Sequence, residues 1–133
     1  PVPSCGYLMA VPRVDRAAEL VAELRGYLDA ADLPKVMATL DARDIGSGAR
    51  HGIIVVSPPR LKFPTWNQVL AEWDVHVIAG PPDNYLAAWA LIDTIVDTLH
   101  AAGLPMETAE AGQFEPLAGP PLWAYTISFT ESN

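Results

Sequence analysis

Glu72, Asp74 and His76 follow one another at two-residue spacing in the run EWDVHVIAGPP, and carboxylate with imidazole is the material of metal sites and acid–base pairs. On a strand this spacing puts all three on one face, with alternate side chains roughly 6.5–7 Å apart. That is wide for one ion unless other strands help, and the residues that could help, Thr126, Ser128 and Thr130, are poor zinc ligands. A wet or subunit-covered sheet face is the favoured reading of the trio; a small cytoplasmic metal-dependent enzyme using Glu72, Asp74 and His76 is the distant one. The run GSGARHG at 46–52 leads into a strand rather than out of one into a helix, so no helix N-terminus waits there for a phosphate. Cys5 is a lone thiol with no local cation or helix start to activate it. His100 stands one helical turn after Asp97, near a helix C-terminus that favours a protonated imidazole, and reads as a capping residue. Asp93 and Asp97, four apart on one helix face, repel each other mildly. Walker A, HExxH and the GxSxG elbow are absent. No catalytic residue, metal ligand or cofactor is expected, and the chain reads as a non-enzyme.

The elements that must hold these residues are legible from periodicity. In residues 15–32, Ala17, Leu20, Val21, Leu24, Tyr27, Leu28 and Ala31 form one apolar stripe, which predicts a helix capped by Asp15 and ended by Pro34. Gly26 inside it implies either a close neighbour or a locally weak helix. A second helix follows Pro81 and Pro82, with Asp83 as its cap, the stripe Trp89, Ile92, Val96 and Leu99, and Gly103 with Pro105 as its stop. Elsewhere the period is two: Trp73, Val75, Val77 and Ala79 share one strand face, and Trp123, Tyr125, Ile127 and Phe129 share another. Residues 36–40 and 52–57 are β-rich, and a fifth short strand is expected over 106–111. The economical fold is α+β: a two-layer sandwich, its mixed or antiparallel sheet of four or five strands carrying two helices on one face. The other face is then solvated or covered by another subunit. Residues 1–12 are expected to form an N-terminal arm or edge strand, and flexible loops are expected at about 42–51, 58–67 and 112–121.

Length and charge bound the function. The 133 residues, half of them apolar, make one domain spanning 1–133 with a sizeable core, and one cysteine allows neither an internal disulfide nor a zinc ribbon. All eight basic residues lie in residues 1–62 beside seven acids, while residues 63–133 hold nine acids and no Lys or Arg. Binding to nucleic acid needs several cations aimed at phosphates, which excludes a general DNA binder. The longest apolar stretch, 85–103, is broken by Asp93, Asp97 and His100, so no membrane span is expected; the first residues carry no secretory signal, and Pro1 suits removal of an initiator methionine. Arg43, Arg50, Arg60, Lys62, Phe63, Trp66 and Phe114 place cations and rings on the loops and are the candidate docking or inter-subunit residues.

The layout resembles the tail-terminator proteins of long-tailed (siphovirus) bacteriophages over most of its length. The resemblance is carried by an N-terminal helix ending in DLP, by GIIVVSPPRLKF, by WDVHVIAGPP leading into NYLAAWALIDTIVDTLHAAGLP, and by the closing strand PLWAYTISFT after a Gly/Pro loop. It implies a structural subunit of a homo-hexameric ring that caps the tail tube, halts its polymerisation and presents the surface for head attachment. The partners so implied are further copies of the chain, the tail-tube protein and a head-completion or connector protein. The ring would sit in the virion at the head-proximal end of the tail, after assembly in the host cytoplasm, with DNA passing through without specific binding. An acidic bore would let phosphates past, and Asp93, Asp97, Glu107 and Glu110 are its candidate lining. The nearest alternative is another head–tail joining or minor tail protein, such as a head-closure or tail-completion factor. A monomeric ligand-binding domain is a third class.

Overall fold

The first helix, α1, runs Pro12–Ala30 and so starts three residues before the expected cap. Proline suits a first helical turn because its missing N–H has no partner to lose there, and Asp15 instead adds its charge to that first turn. The helix stops on its own hydrogen bonds: Leu33 N–H donates to Leu28 carbonyl at 2.9 Å and Asp32 N–H to Asp29 carbonyl at 3.2 Å, with Asp32 in the left-handed region at φ 63°. The computed structural model describes residues 12–33, 35–40, 51–80, 84–114 and 121–132. The expectations placed on the N-terminal arm, Cys5, Pro34, Asp83, Arg43, Arg50, most of loop 42–51 and the later part of loop 112–121 lie outside those residues.

Helix α2, Tyr85–Ala101, is capped by Asn84, whose side chain accepts from Ala87 N–H at 3.2 Å. Its end is the one expected: Gly103 takes φ +98°, and Leu104 N–H returns to Leu99 carbonyl at 3.1 Å. The buried stripe is Ala88, Ile92, Ile95 and Leu99, rotated from the expected one so that Trp89 stands partly exposed. No helix among the described residues is long and apolar enough to cross a membrane.

Six strands form one open mixed sheet: β1 (Met37–Thr39), β2 (Ile53–Val56), β3 (Arg60–Thr65), β4 (Gln68–Ala79), β5 (Thr108–Phe114) and β6 (Leu122–Ser132). Their order is β1-β2-β4-β6-β5, and only β1 and β2 pair in parallel. The α+β class with both helices on one face is therefore what the chain adopts, with one strand more than the pattern shows. That strand is β3, in the stretch expected to be a loop. It lies along the same edge of β4 as β2: Ile53 to Val56 pair with Ile78 to Val75, and after a break at Pro58 and Pro59 the pairing resumes from Arg60↔Glu72 to Thr65↔Gln68. Three prolines conceal it because each lacks a ladder donor, yet β3 pairs on one side only, where Pro64 and the register shift between Lys62 and Thr65 are tolerated. β5 likewise begins two residues later and runs three further than expected, through Gly112 to Phe114↔Leu122, because long β6 offers it a partner over that whole length.

The core lies between the helices and one sheet face. Leu20, Leu24 and Leu28 of α1 and Ile92, Ile95 and Leu99 of α2 meet Ile54, Val56, Trp73, Val75, Val77, Ile127 and Phe129. At about 25 cal/mol per Å² of apolar area, burial of this size is the main favourable term holding the layers together. The opposite face carries a small satellite cluster at one end, Ile53, Val55, Ile78, Leu122 and Ala124 with Phe114 against it; the rest of it is polar.

Candidate functional site

The open sheet face gathers the chemistry-bearing trio, and each member is engaged separately. Glu72 receives Arg60 at 3.0 Å and Lys62 at 2.8 Å from the neighbouring strand, and those two cations hold its carboxyl below the ordinary range. Asp74 accepts from Ser128 hydroxyl at 2.8 Å. His76 Nδ1 lies 3.1 Å from Thr126 Oγ1 and its ring packs against Phe114, centroids 5.8 Å apart. Burial pushes the imidazole pKa down, against the pull of Asp74, so the neutral ring is favoured. The three hydroxyl residues opposite the trio are thus its cross-strand neighbours, and two of them bond to it. No group of three His, Cys, Asp or Glu able to hold a metal ion occurs among the described residues. A depression of about 420 Å³ on this face is lined by Asp74, His76, Glu110, Phe114, Thr126 and Ser128, with Arg60 at its edge.

The β3–β4 hairpin brings four of the candidate docking residues together. Arg60 and Lys62 share one carboxylate, so the paired stretch 60–72 keeps a net positive charge, and near its turn Phe63 and Trp66 are 68% and 95% exposed. Phe114 behaves differently: its ring folds onto the open face against His76 and the satellite cluster rather than projecting. Among the four acids expected to line one channel, Asp93 and Asp97 are exposed on α2, while Glu110 pairs with Thr126 and stands on the face opposite the helices. Glu107 binds the Thr130 N–H at 3.0 Å. The four therefore do not share one wall.

A second concavity was not legible as such. Tyr85 and Trp89 of α2, Trp123 and Tyr125 of β6 and Ala111 and Gly112 of β5 line an apolar groove of about 420 Å³. Tyr85 stacks obliquely on Trp89 and on Trp123, with centroid separations of 5.5 and 4.6 Å. The signal was present as Tyr85 and Trp89 four apart on a helix and Trp123 and Tyr125 two apart on a strand. Periodicity assigns such rings to the core, and only the rotation of α2 and the lateral position of β5 leave them at the surface. The chain matches no protein-family model and no curated protein.

Proposed function

We propose that the chain is a structural subunit of a long-tailed bacteriophage tail: a terminator that assembles as a homo-hexameric ring on the head-proximal end of the tail tube, stops its growth and offers the head-attachment surface. The observation that carries this reading is where the exposed apolar and polar surface lies. Glu72, Asp74 and His76 on the open face are held by cross-strand partners, while the hairpin tip, the aromatic groove and the outer edge of β5 are left bare among the described residues. A molecule whose reactive groups are satisfied and whose large rings are exposed is suited to docking. Its partners are copies of itself, the tail-tube protein and a head-completion or connector protein, in the virion after assembly in the host cytoplasm. Six copies of a chain of formal charge −8 repel phosphates, so DNA can pass the ring without being held.

The test is to assemble tails with and without the protein and measure them by electron microscopy. Overlong tubes in its absence, and one extra ring at the head-proximal end in its presence, are expected. Tails of normal length that fail to join heads would instead assign the chain to head closure or tail completion.

A further inference from the structure

We propose that the β3–β4 hairpin tip of one copy inserts Trp66 into the aromatic groove of the next, forming a head-to-tail contact between copies of this chain. The contact names an interface for the ring and so rests on the reading above.

Trp66 is the most exposed large apolar side chain among the described residues, and Phe63 beside it adds a second ring. The groove walled by Tyr85, Trp89, Trp123 and Tyr125 has a volume of about 420 Å³, ample for an indole, and its rings can meet that indole edge to face. A chain cannot fill its own groove. Trp66 lies just before Gln68, where β4 starts, whereas Tyr125 pairs with Val77 near the other end of that strand. Nine residues of extended chain separate Gln68 from Val77, roughly 30 Å at about 3.3 Å per residue. The donor and acceptor surfaces are therefore different and far apart on one molecule, so a contact in which each copy gives its tip to a new neighbour runs head to tail and generates rings or open filaments.

Charge favours the same partner. Arg60 and Lys62 flank the tip with only Glu72 between them, and the groove's helix wall carries Asp93 one turn beyond Trp89 and Asp97 one turn beyond that, both exposed. Opposite charges around an aromatic anchor fix orientation and exclude wrong partners. The small side chain of Ala111 on exposed β5 leaves the groove open.

Sedimentation velocity of the purified chain over a concentration series tests the contact. The wild type should associate beyond a dimer as concentration rises. Trp66→Ala removes the insert, and Ala111→Trp fills the groove from an exposed edge-strand position. Each should weaken association at least about 30-fold, the loss expected for an aromatic anchor. Ala111→Glu should act as Ala111→Trp does, and circular dichroism checks that each variant is folded. The decisive arm is the equimolar mixture: Trp66→Ala keeps a sound groove and Ala111→Trp a sound tip, so the two should form a heterodimer and nothing larger. Single variants that associate like the wild type, a mixture that stays monomeric, or a wild type that is monomeric throughout would overturn the proposal. A monomeric wild type whose tube binding is lost on Trp66→Ala would assign the tip to the tube protein and also overturn it. Overlong tails without the protein, together with a silent Trp66→Ala, would dismiss this contact and leave the tail reading standing.

Discussion

Glu131 does more structural work than its position near the C-terminal end of β6 suggests. Arg16 grips it with two nitrogens, at 2.7 and 3.1 Å, and Trp73 indole N–H donates to it at 3.1 Å, so one carboxylate ties α1 to β6 and to the buried ring of β4. Arg16 also reaches Glu23 at 2.7 Å, and its guanidinium pKa is raised, foremost by the hydrogen bonds to Glu131 and then, against desolvation, by Glu23. The Arg16 hydrogen bonds are the largest cause holding the Glu131 carboxyl below its ordinary value of 4.5, outweighing desolvation. A carboxylate whose folded-state pKa is depressed stabilises the fold fully above the unfolded value and stops doing so as pH falls through the folded one. Glu131→Gln should therefore cost about 1–2 kcal/mol at pH 7, since a charge-assisted network is lost but Arg16 keeps Glu23. Urea unfolding across pH would check it: the gap between variant and wild type should narrow as pH falls below about 4.5, the ordinary carboxylate value, and a gap that widens there would contradict the assignment. None of this was visible in sequence, because Arg16 and Glu131 are 115 positions apart and neither belongs to a motif.

At the scale of elements, two glycines have opposite meanings. A Cβ at Gly26 would meet nothing within 4 Å, so no close neighbour explains it and the helix is simply weaker there. Gly26→Ala should stabilise the protein by about 1 kcal/mol in thermal or urea unfolding. Gly52, read in sequence as the start of a β-rich segment, sits at φ +89° beneath α2, where an added Cβ would lie 2.7 Å from Ile95 Cδ1. Gly52→Ala should destabilise by about 1–3 kcal/mol, combining backbone strain with overpacking, and a neutral result would show that α2 shifts freely over β2. The elements themselves were largely legible. Both helices announce themselves through apolar stripes and α2 also through its Gly103 stop, and β4 and β6 do so through alternation over the residues that contact the helices. What stayed hidden was β3: proline content reads as loop, and a strand paired on one side gives no two-faced pattern. The Asn84 cap was missed for Asp83 by one residue, which is within the ambiguity of two adjacent side chains that both favour caps.

For the whole molecule, the uneven charge of the sequence takes a spatial form that differs from the one expected. Among the described acids of residues 63–133, Asp93 and Asp97 stand on the outer side of α2, Glu72, Asp74 and Glu110 on the open sheet face and Glu131 against α1, so no single wall collects them, while Arg60 and Lys62 stand on a hairpin with two exposed rings. Sequence could place the cations and aromatics near one another because they are neighbours in the chain. It could not place the groove, which is assembled from α2, β5 and β6 and exists only once β5 has settled beside β6. An acidic α+β sandwich with a projecting basic, aromatic hairpin at one end and an apolar groove toward the other is suited to repeat contacts with identical neighbours. The most direct measurement is the length distribution of tails assembled with and without the protein. A terminator requires tubes that overrun their normal length when it is missing and regain one sharp length when it is restored; tubes of normal length in its absence would contradict that role.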